Sequence, residues 1–215
     1  MLRLGGLLAA AVAIPLLAGA CSSGKAQPTP QSSTVVATVP ASKVNAAPTV
    51  AAAPAKSDVY LVVVTGGMIK KKDWPAVLPS DFSVPANATV TVHVLNFDDP
   101  DDMSAADMVQ YTKVTGTVGN TVTVQPVSDA DPNKLGTAQT LSQLDPKTGV
   151  SHTLTIPQLG LNVPIAPHGW TTFTIHTGAA GSYTWQCMVP CGTDPNGMGG
   201  PMITPGYMKG TMTVA

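Results

Sequence analysis

The chain contains no glutamate and a single arginine, Arg3. All twelve of its acids are aspartate, and charged residues make up only 11% of it, well below the usual quarter. With its one arginine in the N-terminal run, the chain is not expected to grip phosphate or carboxylate through a bidentate fork. Basic residues cluster only at Lys70-Lys71-Lys72, which reads as a solvated loop. That is no nucleic-acid footprint, so no nucleic-acid partner is expected. No Ser-His-Asp hydrolase signature, phosphate-cradling loop, paired-carboxylate motif or internal repeat stands out. These absences favour a carrier or binding protein over an enzyme. What the chain has in quantity is glycine and proline, twenty of each, which argues for many turns and few long helices.

The N-terminus, MLRLGGLLAAAVAIPLLAGAC, has one positive charge, then an apolar run, then small residues. This is the pattern of an export signal. Its ending, Ala18-Gly19-Ala20-Cys21, resembles a bacterial lipobox, with Ala18 where Leu is commoner. The resemblance implies a signal peptide over 1–20 and lipidation of Cys21. It also implies a protein anchored to the outer side of the cytoplasmic membrane, at the cell surface or in the periplasm. Several acyl chains hold a protein at a bilayer more firmly than one. Residues 22–57 are rich in Ala, Pro, Ser, Thr, Val and Gln and hold no acid before the boundary at Asp58. Such a segment cannot bury a core, so 21–57 reads as an anchored, disordered linker. The remainder, 58–215, carries seven Lys against twelve Asp, a mildly acidic body suited to standing off an anionic membrane.

Within that body, short runs of Val and Thr alternate between Gly/Pro turns, the pattern of an antiparallel sandwich or barrel. Residues 58–65 predict a buried strand. In 81–97, Val90, Val92 and Val94 alternate with Thr89, Thr91 and His93, which predicts a half-buried strand. Residues 112–127 predict a hairpin turning at Gly119-Asn120. Residues 150–160 predict a strand, and 208–214 a closing strand. Residues 169–178 and 181–187 predict an antiparallel pair around Ala179-Ala180. A short helix capped by Ser104 is expected near 104–112.

The stretch GSYTWQCMVPCG places Cys187 and Cys191 with three residues between them. By themselves they are open to three readings: a disulfide, a redox couple, or half of a metal site. Upstream lies VSHTLTI with His152, and downstream GYMKGTMTV with Met208. In this order the residues resemble the cupredoxin family. A Cys-x3-Cys pair followed by Gly resembles, within it, the copper domain of cytochrome oxidase subunit II and nitrous oxide reductase. The resemblance covers roughly 58–97 and 150–215. It implies an all-β, cupredoxin-like Greek-key β-sandwich, with 98–150 as an inserted hairpin segment that serves as a docking surface or a lid.

It also implies a copper site of one or two ions. His152 stands at the first histidine position, and Cys187 and Cys191 at the two thiolates. Val189 takes the place of a backbone-carbonyl ligand, and Met198 or Met208 that of the thioether. The family's second histidine is replaced by Pro195, and no histidine follows Cys191. The remaining donors are soft, a set that selects Cu(I). The function implied is electron transfer or copper handling with a redox or copper-exchange protein partner. An alternative is a metal-free cupredoxin whose Cys187–Cys191 disulfide closes a loop in a protein-interaction module. A third is an oxidase-associated copper subunit.

His93, His168 and His176 read as exposed or hydrogen-bonded structural residues, His168 being the reserve for a second imidazole. Met188 and Met202 read as residues that fill gaps or face solvent. Asp98, Asp99, Asp101 and Asp102 read as a solvated acidic turn rather than a calcium loop.

Overall fold

The computed structural model describes residues 55–71, 73–128 and 131–215. The expected signal peptide, Cys21 and nearly all of the expected linker lie outside them. Among the described residues no helix is long and apolar enough to cross a membrane.

Among the described residues, twelve strands form two sheets. In chain order they are β1 (Lys56–Val64), β2 (Ala76–Leu78), β3 (Phe82–Val84), β4 (Thr89–Asn96), β5 (Val122–Ser128) and β6 (Asp131–Leu135). They continue as β7 (Gln139–Leu141), β8 (His152–Ile156), β9 (Leu161–Ile165), β10 (Gly169–His176), β11 (Gly181–Gln186) and β12 (Lys209–Val214). The first sheet runs β2-β1-β4-β10-β5-β6, with β7 beside β5; the second runs β3-β12-β11-β8-β9. Most pairs are antiparallel, but β1 pairs β4 and β12 pairs β3 in parallel. The result is a two-sheet β-sandwich, as expected, whose first strand begins at Lys56.

Alternation explains the core. On β4, Val90, Val92 and Val94 are buried. The opposite face carries Thr89, Thr91 and His93, which bond across to His176, Thr174 and Thr172 of β10. Phe173 and Ile175 of β10 face the same core, against Trp185, Leu154, Ile156 and Met212 of the second sheet. Each such buried side chain contributes about 1.5–3 kcal/mol relative to exposure. Trp185 also donates its Nε1–H to Ser80 O at 2.7 Å.

Two expected pairings are corrected. The strands at 169–176 and 181–186 are not a hairpin: β10 pairs β4 and β5, whereas β11 pairs β12 and β8. The link at 177–180 carries the chain from one sheet to the other. Alternation shows which face of a strand is buried, but not which strand lies beside it.

The hairpin of the 98–150 segment is β5–β6, not 112–127. Gly116 has φ +76° and sits where a Cβ would stand 2.8 Å from Leu161 Cα. The chain thus bends at Gly116, and Thr115 bridges Asn162 instead of running alongside β5. The short helix is present as α1 (Ala105–Met108), with Ser104 accepting from Asp107 N.

Candidate metal centre

β8 begins with His152, and β11 ends one residue before Cys187. The two strands are neighbours in the second sheet, so their ends meet at one end of the sandwich. Cys187 N–H donates to Met208 O at 2.9 Å, which closes the 187–208 loop where β12 begins. Inside the loop, Gly192 N–H donates to Gly197 O at 2.6 Å. A Cβ on Gly192 would collide with Gly199 O, and Gly197 has φ +65° with Pro190 packed against it. These glycines let the loop fold back tightly enough to bring Cys191 over Cys187.

Cys187 Sγ and Cys191 Sγ lie 3.4 Å apart, both as free thiols. His152 Nδ1 is 3.0 Å from Cys191 Sγ and 3.9 Å from Cys187 Sγ. Val189 O lies 3.0 Å from Cys191 Sγ and 3.5 Å from Cys187 Sγ. Among the described residues, His152, Cys187 and Cys191 are the one group of three His, Cys or Asp ligand atoms within 4.8 Å of one another. Bonds of about 2.0–2.3 Å to a shared ion fit donors at this mutual spacing.

The sequence reading missed what holds the imidazole. Asp98 Oδ2 lies 3.1 Å from His152 Nε2, and both side chains are largely shielded from solvent. Asp98 is therefore not part of a freely solvated turn. Asn96, fully buried at the end of β4, makes this possible. Its Nδ2 donates to Ala166 O at 2.9 Å, and its Oδ1 accepts from Asp98 N at 2.9 Å. The motif Asn96-Phe97-Asp98 was visible; what hid its role was the 54 residues that separate Asp98 from its partner. Metal-binding imidazoles commonly direct their second nitrogen at a carboxylate in this way. Thr153 adds two further contacts. Its N–H donates to Cys187 Sγ at 3.4 Å, and its Oγ1 accepts from Met188 N at 2.7 Å.

The electrostatics follow from this packing. Burial works against a charged His152, yet its hydrogen bonds to Asp98 and Cys187 outweigh burial and raise its pKa to about 9. Burial also opposes a thiolate at Cys187, but hydrogen bonds from Cys191 and His152 hold it well below the ordinary thiol value. The hydrogen bond to Cys187 and its charge, together with burial, push Cys191 well up. For Asp98, burial is outweighed by His152, and its carboxyl is held below the usual value. The metal-free pocket thus favours negative charge on Cys187 over Cys191, and positive charge on His152.

The other residues singled out from sequence fall as follows. Met208 is fully buried beside Cys187, and Met198 is half-buried in the same loop. Met202 is core and Met188 exposed, so one fills a gap and the other faces solvent. His93 bonds Asp58 and Thr172, and His176 bonds Thr89. His168 is 2.8 Å from Asp99 and outside the donor group, so it supplies no second imidazole there. Among the described residues the aspartates of 98–102 form no compact ligand cage.

No family model matches the chain, and no curated protein matches it. Several solved structures are similar at low identity. Auracyanin B is 16% identical over 76% of this chain and 91% of its own, with a TM-score of 0.34. Auracyanin A, a blue copper protein of Chloroflexus aurantiacus, is 14% identical over 75% of this chain and all of its own, with a TM-score of 0.33. A multicopper oxidase from Campylobacter jejuni is 10% identical over 75% of this chain but only 30% of its own, with a TM-score of 0.37. With TM-scores this low, the functional reading rests on the site's own chemistry.

Proposed function

We propose that this chain is a cupredoxin-like copper protein that works in electron transfer or copper handling. His152 Nδ1, Cys187 Sγ and Cys191 Sγ would hold the metal, with Val189 O and the thioether of Met198 or Met208 completing the set. The observation that carries the reading is the convergence of one carboxylate-oriented imidazole and two sulfurs at loop-closing strand ends. Bound copper supplies a one-electron couple. Soft sulfur donors favour its reduced state.

The chain's own residues do the rest. Asp98 holds the His152 ring so that Nδ1, not Nε2, faces the sulfurs. Thr153 N–H stabilises negative charge on Cys187. The glycine-dependent loop fixes the spacing between the thiols, and a prepositioned set limits rearrangement between oxidation states. The N-terminal signal and Cys21 extend the proposal to an exported, membrane-anchored protein, with the linker as a tether and an exchange partner at the membrane surface.

The test is copper titration of the reduced protein, read by optical and electron-spin spectra. Stoichiometric uptake with thiolate-to-copper absorption is expected. Cys187→Ser should abolish that band and weaken uptake at least tenfold. No uptake by the wild type, or unchanged uptake by the variant, overturns the reading.

A second reading has its own observation: free thiols 3.4 Å apart need only a small approach to form a disulfide. Thiol counting separates the two, with two free thiols in the copper-loaded protein and none in a disulfide form.

A further inference from the structure

The 187–208 loop holds the chain's one Asn-Gly step, Asn196-Gly197. Every other asparagine is followed by a residue with a side chain, Ala, Phe, Thr, Lys or Val. Glycine has no Cβ, so its backbone nitrogen can approach the preceding side chain more closely than any other residue's. Asn196 is exposed, and among the described residues its side-chain amide has no hydrogen-bond partner. Nothing therefore holds its Cγ away from the chain that follows.

The loop also hangs on this step. Gly192 N–H donates to Gly197 O at 2.6 Å, and Gly197 N–H to Asp194 O at 2.9 Å. The Asp194 carboxylate accepts from Asn196 N at 3.1 Å and from Met198 N at 2.9 Å. Pro190 packs so closely against Gly197 that a Cβ there would stand 2.5 Å from the Pro190 Cβ. Asn196-Gly197 is thus the clasp that closes the loop over Cys191, and it has no room to lengthen.

We propose that Asn196 is a modification site: in the metal-free chain its side-chain amide is lost by deamidation, and the isoaspartyl product opens the loop of the metal centre. The Gly197 nitrogen attacks Asn196 Cγ. The bond from Cγ to Nδ2 breaks, and ammonia leaves with the Gly197 proton. The cyclic imide that forms takes up one water. Opening at the Cγ carbonyl gives aspartate. Opening at the backbone carbonyl gives isoaspartate, with Gly197 now carried on Cγ. Nothing is oxidised or reduced, and water is the only co-reactant. Isoaspartate puts one more carbon into the backbone, a bond of about 1.5 Å, beside the two hydrogen bonds of Gly197. Ordinary aspartate adds only a charge at an exposed position, which costs little.

Attack requires the Gly197 N–H to leave Asp194 O, so it runs through a locally open loop. Copper held by Cys187 and Cys191 would keep the loop closed and deplete that open form. The modification therefore marks chains that stay empty. This gating rests on the copper reading; the modification itself does not.

The experiment ages the reduced, metal-free wild-type protein in warm neutral buffer and maps its peptides by mass, with isoaspartate read by enzymatic methylation. Acid and isoaspartate should accumulate at 196 first, while Asn87 and Asn120 keep their amides. The aged protein should show a lowered Tm and lose copper uptake in proportion to its isoaspartate. Asn196→Gln should age without either loss. Asn196→Asp, which adds the charge without the extra carbon, should keep copper uptake within about twofold. An amide at 196 that outlasts those of Asn87 or Asn120 overturns the modification site. An unchanged Tm in the isoaspartyl protein, or an equal fall in aged Asn196→Gln, overturns the opening of the loop. Failure of the fresh wild type to take up copper rejects the copper reading alone, because the mass map and the Tm still read the modification. At about a hundredfold excess of copper over Kd, deamidation should be at least about tenfold slower. An equal rate in protein shown to hold copper overturns the gating.

Discussion

At the scale of single residues, Asp98 makes His152 an oriented donor rather than one more buried histidine. Loss of such a carboxylate partner typically weakens metal binding 10–100-fold. Asp98→Asn should therefore lower copper affinity by about that factor in competition with a Cu(I) chelator, with two free thiols still counted. Unchanged affinity would show that Asp98 plays no part in holding the ring.

The charges of the pocket give a pH signature in the metal-free, reduced protein. A raised imidazole, from 6.5 to about 9, contributes stability that is complete below pH 6.5 and lost as pH rises through about 9. A depressed thiol contributes stability complete above its ordinary 9.0 and lost as pH falls toward its folded value. Where the two windows overlap, the slopes have opposite signs and offset each other. Cys187→Ser removes the thiol's opposing slope and leaves the imidazole with Asp98, whose hydrogen bond favours the charged ring against burial. The urea midpoint of the wild type should thus depend less on pH in that overlap than that of the variant. The variant should lose stability toward high pH, by up to about 1.4 kcal/mol per pH unit. Parallel curves would refute the imidazolium–thiolate pair.

At the scale of elements, the 187–208 loop is the part most exposed to a single change. Gly192→Ala drives a methyl group into Gly199 O and to 2.5 Å from Gly197 O, both backbone atoms. A cost of about 1–3 kcal/mol is expected from such overpacking. Because Cys191 is the adjacent residue, copper uptake should fall in the same variant, seen as a lost thiolate band beside a lowered Tm. A normal spectrum would show that the loop has slack.

Elements also mark how far the sequence could be read. The Val90-Val92-Val94 face, the strand holding His152 and the Cys-x3-Cys loop were legible, because a periodicity of two and short spacing are local signals. The partnership of β10 with β4 and β5, and that of Asp98 with His152, were not. Each depends on which distant segments the sandwich lays side by side, and a chain with one strand type throughout offers many near-equivalent pairings. Gly116 was visible as a glycine, but only its contact with Leu161 shows why the chain turns away from β5 there.

At the scale of the molecule, the 98–150 segment and the metal centre belong to one cooperative unit. The segment supplies β5, β6 and β7 to the first sheet, Met108, Val114, Val122 and Leu144 to the common core, and Asp98 to the site. An appended lid would bury none of these. Ligand binding to the folded state alone stabilises by RT ln(1 + [L]/Kd), about 2.7 kcal/mol at a hundredfold excess over Kd. Copper held by His152, Cys187 and Cys191 should therefore raise a single unfolding transition for the whole of 56–215. Replacing 99–149 by a short glycine linker should abolish that transition with or without copper, since three strands of one sheet and four core side chains go with it. Differential scanning calorimetry reads both results. A deletion protein that still unfolds cooperatively, with its Tm raised by copper, would mean that the segment is an accessory after all and that Asp98, kept in that protein, holds His152 without it.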